Sequence, residues 1–157
     1  MTVLLSSISP IDGRYARFTE LLSPIFSEMG LMRYRLIVEG EYLIALSQTK
    51  GVGMRKFSSR EIGLIRKLYD LKPNDAQIIS NIETKGYKQI KPTDHDDKAV
   101  EYYIKGTLAK TSLKDILEWV HFALTSEDTN NLAYAMMLKD GLSQTMIPAI
   151  SSILRSI

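Results

Sequence analysis

Three short stretches carry residue types that could hold an anion or move a proton. In Asp12-Gly13-Arg14-Tyr15, a fork-shaped guanidinium suited to phosphate or carboxylate stands beside a ring that can stack or hydrogen-bond. In Asp94-His95-Asp96-Asp97, flanking carboxylates can orient an imidazole and raise its pKa. The third is Thr125-Ser126-Glu127-Asp128, followed by Asn130 and Asn131, a dense polar cluster between the apolar runs 116–124 and 132–138. Thr125 and Asp128 have the spacing of a capping box, so the cluster starts a helix. The first turn of a helix has free N–H groups and the positive end of the dipole, and it receives carboxylates and phosphates readily. Thr125 and Ser126 add hydroxyl donors there. From spacing alone a capped helix start is the simpler reading and an anion site the sharper one.

The other clusters also have plain alternatives. Arg14 and Tyr15 could sit on a surface turn, and the acids around His95 could serve a helix N-terminus, where the dipole favours them. A metal site at 94–97 fits poorly, because adjacent residues rarely converge on one ion and no second His is near. His121, in an apolar run close to Trp119, reads as a satisfied core histidine and not a catalyst.

The elements that must position these residues are helical. Residues 1–22 are irregular, with a turn at 9–15. From Pro24 the chain reads as helix, with Leu31, Tyr34, Val38, Tyr42 and Ala45 at three-to-four spacing, until Lys50-Gly51-Val52-Gly53 breaks it. Ser58 and Glu61 predict a capped helix from Ser59 to Tyr69. Residues 71–75 form a second break, with Asn74 as the expected cap of a helix that ends near Thr84. A long polar loop follows, then a helix from Asp96 to about Ala109. Ser112 and Asp115 repeat the capping spacing and predict a further helix up to residue 124. The last helix runs from Thr125 to the end with an apolar stripe of Leu132, Met136, Leu142, Met146, Ile150 and Ile153, and Pro148 should kink it or be absorbed by neighbours. No strand or internal repeat is evident, so the fold class is all-α.

Composition narrows the function. The chain has 157 residues, 45% hydrophobic and 24% charged, enough for one globular core. Its 20 basic and 18 acidic residues leave a formal charge of +2, which gives no reason to expect nucleic acid or an anionic membrane as partner. With no cysteine there is no disulfide, thiolate metal ligand or thiol nucleophile. No apolar run approaches the roughly 18 residues of a membrane span, and the N-terminus lacks the basic start of a signal peptide. A cytoplasmic protein is expected.

The order of three motifs is informative. Residues 9–15 (SPIDGRY), 94–103 (DHDDKAVEYY) and 121–138 (HFALTSEDTNNLAYAMML) together resemble the N-terminal part of the adenylosuccinate lyase family, within the fumarase/aspartase superfamily. The resemblance implies a helical domain over 1–111 and the start of a central long-helix bundle over 112–157. It implies β-elimination of fumarate from adenylosuccinate and from the succinyl-carboxamide ribotide of purine biosynthesis, a homotetramer with sites shared among subunits, and no metal or organic cofactor. By the same resemblance Thr125 and Ser126 hold the succinyl end of a nucleotide substrate, Arg14 and Tyr15 the nucleotide end, and Asp94, His95 and Asp96 complete the pocket. Two departures stand out. Asp94 replaces the Asn that is common in the family, and the stretch from Glu83 to His95 is longer than usual, with lysines that could draw in an anion or form a solvated rim.

The family's general acid, a His in Thr-His-Gly-Gln, and its general base, a Ser in Gly-Ser-Ser-x-Met-Pro-x-Lys, have no counterpart in these residues. Residues 149–157 (AISSILRSI) also show no Gly cap, Pro or polar tail. An N-terminal fragment that is inactive alone is therefore expected. The alternatives are another fumarate-releasing lyase of the superfamily, or a non-catalytic helical oligomerisation module whose apolar stripe seeks partner helices.

Overall fold

The computed structural model describes residues 6–157. The described residues are helical, with a single isolated backbone bridge between Tyr87 and Ile90. In chain order the α-helices are α1 (Ala16–Thr19), α2 (Ser23–Phe26), α3 (Glu28–Gln48), α4 (Ser59–Arg66), α5 (Pro73–Thr84), α6 (Asp96–Leu108), α7 (Ser126–Gly141) and α8 (Ile147–Leu154). None is long and apolar enough to cross a membrane.

The long helix α3 organises the rest. Ser27 caps it by accepting from the Gly30 N–H (3.1 Å), and at the other end Gly51 and Gly53 turn the chain away at positive φ. The anticipated face at Tyr34 and Val38 is buried, although Ala45 is exposed. A second face, Met32, Leu36, Leu43 and Ile44, is buried as well. These four join Phe57, Ile65, Ile79, Val100 and Ile104 in the main core, which α4, α5 and α6 complete. Tyr34 and Val38 pack with Ile25, Ala133 and Met137 in a smaller core against α2 and α7. A helix with core on two sides cannot show a clean amphipathic stripe. Its remaining stripe, Arg35 and Glu39, is polar yet buried.

Local signals hold where their partners are also local. Ser58 and Glu61 form the anticipated capping box, and Lys67–Tyr69 extend α4 as a 3₁₀ turn to the expected end. Thr125 and Asp128 form the second box, at the start of α7. The α5 start differs by two residues: Lys72 is the cap, Pro73 takes the first helical position, and Asp75, not Asn74, accepts from the cap N–H (3.3 Å).

The helix expected after Ser112 is not formed. Residues 112–124 are turns with one 3₁₀ segment, Leu117–Trp119. The reason lies in who captures the caps. Asp115 is held by Arg55 (2.7 Å), and Ser112 Oγ donates to Glu61 (3.1 Å). The turns still deliver Leu113, Ile116 and Val120 to the main core.

The final helix is interrupted. A π turn at Leu142–Met146, with the Ile147 N–H donating to Leu142 O, separates α7 from α8 and absorbs Pro148 near the start of α8. The stripe read from the sequence mostly faces outward: Leu132, Leu142, Met146, Ile150 and Ile153 are exposed. The face of α7 that meets the body is Thr129, Ala133, Met137 and Gly141.

Two glycines give a paired test. A Cβ on Gly30 would lie 2.5 Å from the backbone oxygen of Ile25, whereas a Cβ on Gly63 would meet open space in mid-helix. Gly63→Ala should stabilise by about 0.5–1 kcal/mol through helix propensity. Gly30→Ala should destabilise by about 1–3 kcal/mol, because a backbone oxygen cannot swing aside. Urea midpoints of the two variants, moving in opposite directions from wild type, check the packing of α2 on α3.

Candidate functional site

The site is built where the N-termini of α6 and α7 approach α3. Arg35, with 4% of its side chain exposed, reaches from α3 to both other helices. Its Nη2 lies 2.7 Å from Asp96 Oδ2, and its Nε lies 2.7 Å from Asp97 Oδ1. The Nε–H donates to Asn130 Oδ1 (2.9 Å), and Asn130 Nδ2–H donates to Asp97 Oδ2 (3.1 Å). Asp96 Oδ1 accepts from the Asp97 N–H (3.0 Å). Burial would raise the Asp96 pKa, but the Arg35 hydrogen bond and charge outweigh it and hold it below the ordinary carboxylate value. For Asp97 burial wins, helped by the Asp96 charge, and its pKa is raised.

This clamp brings two helix starts together. His95 is the N-cap residue of α6 and makes no side-chain cap. Its Nε2 lies 3.4 Å from Ser126 Oγ, the first residue of α7. Both side chains remain accessible, as does part of Asp96, and His95 Nδ1 lies 3.7 Å from Asp96 Oδ1. Ser126 and Thr125 have different duties. Thr125 Oγ1 donates to Asp128 Oδ2 (2.9 Å) and accepts from the Asp128 N–H (3.4 Å), so its hydroxyl closes the cap. Ser126 Oγ instead lies beside His95 Nε2, and its hydrogen bonding to Asp97 works against the upward shift of that carboxyl. An anion there would meet a hydroxyl and the positive ends of two helix dipoles.

A second buried pair lies one turn along α3. Glu39 contacts His121 Nδ1 and accepts from Thr129 Oγ1 (3.3 Å). The hydrogen bond to Glu39 raises the His121 pKa against the opposing effect of burial. His121 and Ala123 both have positive φ, and Tyr42 Oη–H donates to the Phe122 carbonyl (3.0 Å) between them. The chain is thus steered sharply into Thr125. His121 is a satisfied, mostly buried histidine, as its setting suggested.

Of the residues named from sequence, His95, Asp96, Thr125 and Ser126 come together. Asp94 is exposed in a left-handed backbone conformation (φ 50°), its N–H donating to Glu83 O (3.1 Å). Arg14 and Tyr15 are exposed at the start of α1, where Tyr15 packs near Phe18 (ring centroids 6.4 Å apart). Among the described residues, no hydrogen bond or ion pair joins Arg14 or Tyr15 to the His95–Ser126 cluster. Ligand atoms of His95, Asp96 and Asp97 lie within 4.8 Å of one another, but the guanidinium of Arg35 already occupies the cation position between the two carboxylates.

Arg35, Glu39 and Asp97 were not anticipated as site residues. Their signal was present: Arg35 and Glu39, opposite charges at i and i+4, lie among the apolar positions Tyr34, Leu36, Val38 and Leu43 and ask for buried partners. Asn130, from the polar cluster at the start of α7, makes helix-to-helix hydrogen bonds to Arg35 of α3 and Asp97 of α6.

The fold is an all-α chain in which the starts of two helices, α6 and α7, face each other. No protein-family model matches it. Curated relatives do. The chain is 40% identical over 149 residues to an adenylosuccinate lyase of Buchnera aphidicola subsp. Acyrthosiphon pisum, a match covering 92% of this chain and 31% of that protein. It is 40% identical over 162 residues to one of Legionella pneumophila (strain Corby), covering 98% and 33%. It is 37% identical over 147 residues to one of Escherichia coli (strain K12), covering 92% and 31%. The chain belongs to the adenylosuccinate lyase family and spans about a third of the length of the curated relatives it matches.

The His121–Glu39 pair carries a pH signature. A histidine whose folded pKa lies above the ordinary value of 6.5 adds stability that is fully present below that value and is lost as pH rises through the folded one. The stability advantage of wild type over His121→Gln should therefore be largest near about pH 6 and shrink towards about pH 9. Thermal midpoints of both proteins across that range check it, and a pH-independent gap would show that the pair is not charged.

Proposed function

We infer that this chain supplies the carboxylate-binding part of an adenylosuccinate lyase active site. The observation that carries the reading is the approach of His95 to Ser126 across the first turns of α6 and α7. The reaction is a β-elimination: a base removes a proton beside a carboxylate, the carbon–nitrogen bond breaks, and an acid protonates the departing nitrogen. Fumarate and AMP leave, or fumarate and the carboxamide ribotide with the second substrate. Negative charge builds on the carboxylate next to the carbanion as an aci-anion. A fixed donor aimed at that charge can be worth about 3 kcal/mol.

Ser126 Oγ–H and the free amides of the α7 first turn are such donors, and they need no reorganisation because the Thr125–Asp128 box fixes the turn. Thr125 acts on the succinyl end mainly through this box. His95 orients the same end by hydrogen bonding. Asp96 shapes the rim, its charge compensated by Arg35. Asp94 lies at the edge of the pocket, where its charge opposes an anionic substrate. Arg14 and Tyr15 bind the nucleotide end, Arg14 at the phosphate, once α1 is drawn over the pocket. The proton-transfer pair belongs to sequence outside these residues, and no metal or organic cofactor takes part. The exposed apolar residues of α7 and α8, among them Leu132, Met146, Ile150 and Ile153, support self-association of the central helices into a homotetramer. Such an enzyme works on soluble nucleotides in the cytoplasm.

A chimera tests the reading. This chain replaces the matching segment of the Legionella pneumophila relative, and fumarate release is followed. The chimera should cleave adenylosuccinate in preference to argininosuccinate or malate, the 157-residue chain alone should not, and Ser126→Ala should lower kcat about 10²-fold or more. Preference for another substrate would favour a different fumarate-releasing lyase. An assembled but inactive chimera, or a fully active Ser126→Ala, would leave the chain as a helical oligomerisation module.

A further inference from the structure

The lysine-rich segment after α5 takes no part in the site described above. It is not a loose loop. Tyr87 and Ile90 exchange both backbone hydrogen bonds (2.9 and 3.0 Å). The Thr93 N–H donates to Ile82 O (3.1 Å), which ties the return strand of the turn to the end of α5. Gly86 makes the tight entry possible: its φ is +81°, and a Cβ there would lie 2.6 Å from Ile90 O.

This fixed hairpin, α5 and α6 enclose a recess of about 360 Å³. That volume is at the small end of ligand pockets. Its apolar surface comes from Ile78, Ile82 and Ile90, and three half-buried phenols, Tyr87, Tyr102 and Tyr103, line it. The Tyr103 hydroxyl is engaged with Asp75, and burial followed by the Asp75 charge pushes its pKa up to about 12. Asp75 is the one acid of the lining, and it also accepts from the Lys72 N–H (3.3 Å). Two exposed lysines, Lys88 and Lys110, complete the lining. Among the described residues, the lysine ion pairs are made by Lys72, Lys98 and Lys105, so Lys88 and Lys110 keep their charge unmatched. Lys88 Nζ sits 5.2 Å from the centre of the Tyr87 ring, at the border of aromatic wall and solvent.

A preformed hollow with aromatic walls, an apolar floor and uncompensated cations selects for shape and charge together. Flat rings bury well among phenols, and an anionic substituent reaches the ammonium groups without leaving the ring exposed. We propose that this recess is a second ligand site, which takes a single planar aromatic ring bearing a carboxylate or a phosphate. The ring lies among Tyr87, Tyr102 and Tyr103, and the anion meets Lys88 and Lys110. The lining includes none of His95, Asp96, Thr125 or Ser126, so occupancy does not depend on the lyase reading.

The test is a titration of the ¹⁵N-labelled chain by NMR with two probes, phenyl phosphate and benzoate, and two controls, inorganic phosphate and benzyl alcohol. At least one probe should move the Gly106, Thr107 and Tyr87 amides saturably in the millimolar range or below. The stronger probe distinguishes a phosphate from a carboxylate ligand. Lys88→Gln or Lys110→Gln, both at exposed positions that leave the fold intact, should weaken that binding about tenfold, the worth of one charge-assisted hydrogen bond. Equal binding of inorganic phosphate would mean surface cations only. Equal binding of benzyl alcohol, unchanged affinity in both lysine variants, or no movement of these amides with either probe would each overturn the proposal.

Discussion

Arg35 holds a full positive charge with almost no access to water, and the geometry of the candidate site depends on how that charge is met. Its partners come from two other helices, Asp96 and Asp97 from α6 and Asn130 from α7. Buried ion pairs add little net stability, since desolvation offsets the attraction, but losing one partner costs about 3–5 kcal/mol. What the clamp enforces is position. A planar guanidinium satisfies two carboxylates and an amide only when three helices stand at one offset from each other. At that offset the starts of α6 and α7 face each other, and His95 comes within reach of Ser126.

The same stripe of α3 sets the path into α7. Arg35, Glu39 and Tyr42 follow one another at i, i+4 and i+7, and each holds a different part of the site. Glu39 holds His121 and Thr129, while Tyr42 holds the carbonyl of Phe122. Between these anchors the backbone passes through two non-glycine residues at positive φ. Such conformations cost about 1–3 kcal/mol each and persist only where the surroundings over-determine them. The turn is therefore fixed before any ligand arrives, which is what a donor array for a developing anion requires.

The legible part of this structure is the part whose causes are close in sequence. Capping boxes at Ser58/Glu61 and Thr125/Asp128 involve residues three apart, and both are formed. Ser112 and Asp115 have the same spacing, but their polar groups are taken by Arg55 and Glu61, more than fifty residues away, and the helix they promised is absent. Nothing in the spacing distinguishes the two outcomes, because the competitor is tertiary. The site divides in the same way. Ser126 and His95 could be named from local motifs, yet the residue that unites them, Arg35, lies in a helix whose apolar pattern suggests only burial. An Arg amid such a pattern reads as a snorkelling surface residue until its partners are located.

Helix α7 joins the candidate site to any assembly. Its first turn carries Ser126, its inner face of Thr129, Ala133, Met137 and Gly141 meets the body, and its outer face carries exposed Leu132, Tyr134 and Leu138. The inner face is cut close: a Cβ on Gly141 would lie 2.5 Å from the Phe26 ring. Tyr34 also donates to Asp140 (2.6 Å), near the far end of the same helix. A partner helix laid on the outer face cannot shift α7 along its axis without breaking the Arg35–Asn130 bond at one end and the Tyr34–Asp140 bond at the other. Association on that face would thus build on a site already placed within this chain, adding residues to it instead of creating its geometry.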